Sequence, residues 1–225
     1  MINFIYSFLD LIFPSNCVNC QAVISLRDKN LCFSCLNFLR LSSNCLANRS
    51  FEEKDREIYY HQHFYLADYS GAVKNILQAY KFQSKKRLVN HLVGLALKKI
   101  KEENLSFDLI SYVPMNRKKK WERGYNQSEL LSRKISKKLG YPLVPLLKEA
   151  KKSKVQKKLS TLDRFLNVIN RYQVTRTNEI PLKKILLIDD VFTTGATVNE
   201  CSRKLIEVGA KQVLVLTIAK TNLAG

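Results

Sequence analysis

The chain has 225 residues, 46% of them hydrophobic, which is enough to bury one full core with a small appendage beside it. No run approaches the ~18 uncharged apolar residues that a membrane-spanning helix needs, so a helical membrane protein is excluded. The 38 lysines and arginines outweigh 19 acids for a net charge of +19, and residues 81 to 158 alone hold 22 of the bases against 6 acids. A regional excess of that size favours a polyanionic partner or an anionic ligand over a solvated face, which usually mixes signs. Aromatics do not alternate with the bases as a stacking groove would require, and no groove-reading helix motif occurs.

Met1 to Phe13 is apolar and aromatic but lacks a basic leader and a small-residue cleavage site. It reads as an amphipathic helix packed on the protein, with weak peripheral membrane contact as the second reading. Cys17-Val-Asn-Cys20 and Cys32-Phe-Ser-Cys35 are separated by eleven residues, the spacing of two knuckles closing on one tetrahedral zinc. Six cysteines used this way fit a reducing compartment, hence the cytoplasm, with residues 1–13 at most touching the inner face of its membrane. Cys45 has no paired partner, and Cys201 falls on the inner face of a helix, where core packing accounts for it.

Residues 47–60 are polar and charged and read as a linker, giving a division into 1–46 (helix and ribbon), 47–60, and 61–225. His61 and His63 alternate with Gln62 on a strand running into Tyr65 to Tyr69, and they read as a solvated strand face before they read as ligands. Helical patterns follow at 72–81 and 86–103, the second carrying His91 as a surface or packed residue. An apolar strand, Leu109 to Val113, ends at Pro114. Pro114 to Gln127 reads as a long basic loop leading into a helix to Leu139, with Leu131, Ile135 and Leu139 as its buried stripe and Gly140 closing it. A strand near 143–147, a polybasic stretch 148–158 and a short helix at 159–168 come next.

The sharpest signal is the stretch from Ile185 to Thr197. Ile185 to Ile188 are four consecutive apolar residues, as in a strand buried on both faces of a parallel sheet, and after Gly195 the pattern turns helical through Ala196, Cys201, Leu205 and Val208. Backbone N–H groups from Phe192 to Thr197 converge where a strand ends and a helix begins, so they can cradle a phosphate, with the Thr193, Thr194 and Thr197 hydroxyls adding donors. Asp189 and Asp190 are acceptors only and suit two vicinal ribose hydroxyls or a divalent cation. The bland alternative is a helix cap, with Thr194 or Thr197 as N-cap. A last strand runs from Val213 to Ile218. Strands alternating with helices imply an α/β parallel sheet with its ligand at the strands' carboxyl ends.

The stretch from Asp189, Asp190, Val191 and Phe192 through Thr193, Thr194, Gly195 and Ala196 to Thr197 resembles the phosphoribosyl pyrophosphate (PRPP) signature of type I phosphoribosyltransferases. Across essentially all 225 residues the chain resembles the ComF family, phosphoribosyltransferase-like proteins with a zinc ribbon associated with natural competence and DNA uptake. The matching residues are Tyr69 to Gly71 with Ile76, Leu77, Lys81 and Phe82; Val113-Pro114; Arg123-Gly124-Tyr125-Asn126-Gln127; Gln156 and Leu159; and Arg164 and Asn167. The resemblance implies a type I phosphoribosyltransferase-like fold, PRPP or a related sugar phosphate with magnesium, and partners among DNA-uptake proteins and single-stranded DNA. Two departures stand out. A second ribbon is reduced to Cys45, with Asn48 where a paired cysteine would fall, so one zinc is carried over; and Tyr125 replaces the usual Phe.

The departing pyrophosphate calls for cations and backbone N–H groups. Candidates are Pro114, Met115, Asn116, Arg117, Arg123, Gly124, Asn126 and Gln127, and the basic segment with Lys151, Lys152, Lys154 and Gln156. Arg123 ranks first because its planar fork binds phosphate bidentately. With Asp189 and Asp190 it makes the candidate catalytic set; no general base for an acceptor stands out. Three readings stay open: a PRPP-binding protein of DNA uptake, an active transferase acting on a nucleobase or other amine, and a zinc-ribbon nucleic-acid adaptor with a vestigial transferase fold.

Overall fold

The structure, a computed structural model, describes residues 15–25, 30–42, 57–150 and 171–221. The expectations for Met1 to Phe13, Cys45 and Asn48, for Lys151, Lys152, Lys154 and Gln156, for Leu159, Arg164 and Asn167, and for a helix at 159–168 lie outside the described residues.

At the centre is a four-stranded, all-parallel sheet of β3 (Gln62–Asp68), β4 (Leu109–Tyr112), β7 (Lys184–Phe192) and β8 (Gln212–Lys220), in the order β3-β8-β7-β4. The apolar run in β7 is explained by its position: Ile185 to Ile188 are all fully buried, because both faces of this inner strand are covered. Leu186 and Ile188 face one side, where they meet α1 (Phe33–Ser42), α2 (Gly71–Tyr80), α3 (Val89–Glu102) and α5 (Gln127–Leu139) through Leu39, Ile76, Leu92 and Leu131. Ile185 and Leu187 face the other, against Val198, Cys201 and Leu205 of α6 (Ala196–Glu207). Cys201 is thus a core residue, as its helical position implies.

Strand register opens the site. β4 pairs with β7 up to Tyr112 opposite Ile188, after which Pro114 has no N–H to continue the ladder, whereas β8 stays paired with β7 as far as Phe192 opposite Lys220. Asp189 and Asp190 therefore sit on a strand that has lost one neighbour, at the mouth of a crevice between the carboxyl ends of β4 and β7.

Four expectations are corrected. Pro114 to Gln127 is not one loop, since Arg117–Arg123 forms a helix, α4. Asn116 caps it by accepting from Lys118 N at 2.8 Å, and Gly124, at φ 75°, ends it in the left-handed conformation that glycine adopts without strain. The strand expected at 143–147 is a single bridge from Leu143 to Ile110, followed by β5 (Leu147–Glu149). An unexpected strand, β6 (Tyr172–Val174), pairs antiparallel with β5. His63 does not face solvent: it is 3% exposed, because Tyr60 and Phe192 close over that face of β3. Residues 57–60 lie against α6, with Tyr59 N donating to Asn199 Oδ1 at 2.8 Å and Tyr60 buried.

At the amino-terminal end, β1 (Ser15–Asn16) and β2 (Val23–Ile24) form a two-stranded antiparallel ribbon that leads toward α1. Its core is not separate. Cys17, Ile24, Leu31, Cys35 and Leu39 join the same apolar cluster as α2, and Asn75 Nδ2 of α2 donates to Asn19 Oδ1 at 3.1 Å. No helix among the described residues is long and apolar enough to cross a membrane.

Candidate functional site

The paired Cys-x-x-Cys units do converge. The Sγ atoms of Cys17, Cys20, Cys32 and Cys35 all lie within 4.8 Å of one another, and those of Cys20 and Cys32 are 3.6 Å apart. A tetrahedron with ~2.3 Å metal–sulfur bonds sets sulfurs about 3.8 Å apart, so the set fits a four-thiolate metal site with no open position. Donors already face the sulfurs: Asn19 Nδ2 reaches Cys35 Sγ at 3.2 Å and Cys35 N reaches Cys32 Sγ at 3.4 Å. Such hydrogen bonds fix thiolate orientation.

The second feature is a cavity of about 380 Å³ at the carboxyl end of the sheet. One wall is the end of β7 and the turn after it: Asp189, Asp190, Val191, Thr193 and Thr197 line it. Asp189 is held by Ser128 Oγ, which donates to its Oδ1 at 3.0 Å, and by Asp190 N at 2.8 Å. Burial, and then the adjacent Asp190 charge, push its carboxyl up to about 8 despite these donors. A ligand that offers hydroxyls or a cation here would favour the ionised form. Asp190 Oδ1 accepts from Val191 N at 2.8 Å, which orients the second carboxylate.

The turn rests on an aromatic stack. The ring of Phe192 lies so close beneath Gly195 that a Cβ there would meet Phe192 Cζ at 2.6 Å, and Gly195 itself sits at φ 72°. His63 stacks on Phe192 with ring centroids 3.9 Å apart, its Nε2 is 2.8 Å from Thr217 Oγ1, and Tyr60 closes edge-on at 6.3 Å. Burial, reinforced by the nearby Lys220 charge, lowers the His63 pKa to about 3, so the ring is neutral. Thr221 N donates to Phe192 O at 2.9 Å and latches the turn from the end of β8. Past Gly195, the first N–H groups of α6 have no acceptor within the helix and point toward the turn. Thr194 is exposed, its Oγ1 accepting a long 3.5 Å contact from Ala196 N. The helix-cap alternative thus gains little support here.

The facing wall is basic. Lys81 from the end of α2, and Lys119 and Arg123 from α4, line it together with Pro114, Met115 and Asn116. Of the remaining loop candidates, Arg117 is exposed outside the cavity and Gly124 is the cap of α4. Asn126 lines the cavity and also caps α5, accepting from Ser128 N at 2.9 Å and donating to Val113 O at 3.0 Å. Gln127 is fully buried and faces away: its Nε2 donates to Lys81 O at 3.3 Å, its O accepts from Tyr80 at 3.0 Å, and its Oε1 accepts from Arg123 at 3.4 Å. Tyr125 is buried beside Tyr80 and donates to its carbonyl. The Arg-Gly-Tyr-Asn-Gln string is therefore mostly scaffold that ties α2, α4 and α5 together and aims Arg123 and Lys81.

Three lining residues carried no sequence signal: Glu149 on β5, Arg171, and Tyr172 on β6. Arg171 Nε donates to Glu149 Oε1 at 2.9 Å, while Glu149 Oε2 is buried with no partner among the described residues. A carboxylate in that state faces a ligand or water more often than nothing. Ser128, directly after the Arg-Gly-Tyr-Asn-Gln string, also lines the cavity and has no sequence signal of its own.

A family model described as a phosphoribosyl transferase domain matches residues 126–223. The chain is 29% identical over 229 residues to competence protein F of Haemophilus influenzae, covering 92% of this chain and 98% of that protein. It is 27% identical over 164 residues to the DNA utilization protein YhgH of Escherichia coli, covering 69% and 70% of the two chains. With competence protein ComFC of Bacillus subtilis it shares 29% identity over 146 residues, 63% of this chain and 56% of that one. Together with the four-cysteine cluster and the parallel sheet ending on paired acids, these matches make the chain similar to competence and DNA-utilization proteins, with the phosphoribosyl transferase domain model matching its carboxyl-terminal part.

Proposed function

We propose that the protein binds PRPP with magnesium and serves natural competence and DNA uptake, with single-stranded DNA as a partner. One observation carries the ligand half of this reading: a single cavity gathers paired acids, a threonine turn at a helix start and three basic side chains on the facing wall. On this reading Asp189 and Asp190 take the ribose hydroxyls, the turn from Phe192 to Thr197 takes the 5-phosphate, and Arg123, Lys119 and Lys81 face the pyrophosphate. Magnesium would supply charge neutralisation between the carboxylates and the phosphate oxygens. The uptake half is supported by relatives that carry competence and DNA-utilization names.

The metal held by Cys17, Cys20, Cys32 and Cys35 is zinc on the strength of its all-thiolate donor set. We divide the chain accordingly into ribbon (1–46), connector (47–60) and transferase-like domain (61–225), and place it in the cytoplasm. A second reading, transfer of ribose 5-phosphate to a nucleobase or other amine, is favoured by Glu149 Oε2, a buried acceptor in the cavity with no partner among the described residues. Calorimetric titration with PRPP and Mg²⁺, followed by a pyrophosphate assay over nucleobases and amines, tests both. Saturable binding without pyrophosphate release supports the first; acceptor-dependent release supports the second; no binding removes both.

A further inference from the structure

We propose that the outward face of α4 is a docking surface for single-stranded nucleic acid, with Trp121 as the platform for one base and Arg117 and Lys118 as phosphate contacts. The inference rests on the proposed DNA role for the identity of the partner, and on α4 itself for the place.

None of the seven residues of α4 is buried, so no apolar stripe holds this helix to the body. Its Trp121 is nevertheless 86% exposed. Leaving so large an aromatic in water forgoes the burial that normally decides where tryptophan sits. Its neighbours complete the surface. At 3.6 residues per turn Arg117 and Lys118 fall beside Trp121, four and three residues back. Both are exposed. Lys119 and Arg123, themselves four apart, turn the other way onto the cavity. Lys120 is taken up by Glu129, 2.7 Å away, and Glu122 is the one acid on the helix.

A flat π face flanked by cations within one helical turn matches an unpaired base with its adjoining phosphates. A duplex hides its base faces, so a single strand is the occupant. The helix thus carries two basic faces, one toward the cavity and one toward the strand, and substitutions on each are separable.

Trp121 is the chain's one tryptophan, so its emission reports this surface alone. Titration with oligothymidylate should quench it in parallel with the anisotropy rise of fluorescein-labelled oligothymidylate, while an abasic oligomer of equal length should bind more weakly without quenching. Trp121→Ala should cost roughly 5- to 150-fold in single-strand affinity, the range of one base–aromatic stack. Its PRPP binding and its salt slope should be unchanged. Arg117→Ala with Lys118→Ala should flatten the log–log salt slope by about 1.4, the two phosphates' worth on a single strand. Anisotropy that rises without quenching, or that Trp121→Ala leaves intact, would overturn the surface and leave the DNA role standing. No anisotropy change at all would remove the role and the surface together.

Discussion

Gly195 is the residue with the least freedom to change. A side chain there pays for the left-handed backbone, about 1 to 2 kcal/mol, and drives into the Phe192 ring as well. Gly195→Ala should therefore weaken PRPP binding at least ~10-fold on this account. Adding Phe192→Leu should recover part of that loss by removing the ring, leaving the backbone cost; a double variant no better than the single one would show that the ring does not set the turn. His63 beneath gives a second handle. Its folded pKa of about 3 lies below the ordinary value of 6.5, so the unfolded chain takes up a proton that the folded one refuses. The stability this group contributes is complete above pH 6.5 and drains away as pH falls toward 3, at about 1.4 kcal/mol per pH unit. Denaturant titrations at a series of pH values should show that slope, and His63→Gln should flatten it; an unchanged slope would contradict the buried neutral ring.

Among the elements, the ribbon differs most from what its spacing alone implies. Two Cys-x-x-Cys units predict an appendage, but Leu31 and Leu39 pack into the cluster that α2 shares. A chelator, or Cys32→Ser, should thus lower the one unfolding transition of the whole molecule, because thiolate binding couples to folding. A separate early transition would contradict the shared core, and metal analysis giving other than one zinc per chain would contradict the site. The same contrast of local and distant information decides what could be read beforehand. β7, its turn and α6 were legible because apolar run, acids, glycine and helical stripe lie within 24 consecutive residues. α4 was not, since a helix that buries nothing has no apolar period. Burial of His63 depends on Thr217 and Phe192, both more than 120 residues away along the chain. Glu149 and Arg171 meet only through the β5–β6 pairing, which no local pattern announced.

For the whole molecule, the net charge of +19 is split between two tasks on our reading: an anionic sugar phosphate in the cavity and a strand on the surface. The polybasic segment with Lys151, Lys152, Lys154 and Gln156 follows Glu149 closely in the sequence, and the Glu149 carboxylate lines the cavity. Replacing Lys151, Lys152 and Lys154 with Ala should weaken PRPP binding and leave the single-strand salt slope as it was. A flattened slope with PRPP affinity intact would assign that segment to DNA, and no change in either would make it a solvated surface.

The central claim is that the carboxyl end of β7 is a PRPP site. Burial and the neighbouring Asp190 charge raise the Asp189 carboxyl above the ordinary carboxylate range when nothing is bound, so loading PRPP and Mg²⁺ near neutral pH should release protons. Titration calorimetry in two buffers of different ionisation enthalpy reads affinity and proton release together. The account predicts saturable binding, proton release, and loss of about 1.5 to 3 kcal/mol for each charged hydrogen bond removed in Asp189→Ala with Asp190→Ala. Affinity and proton release undiminished in that double variant would contradict it.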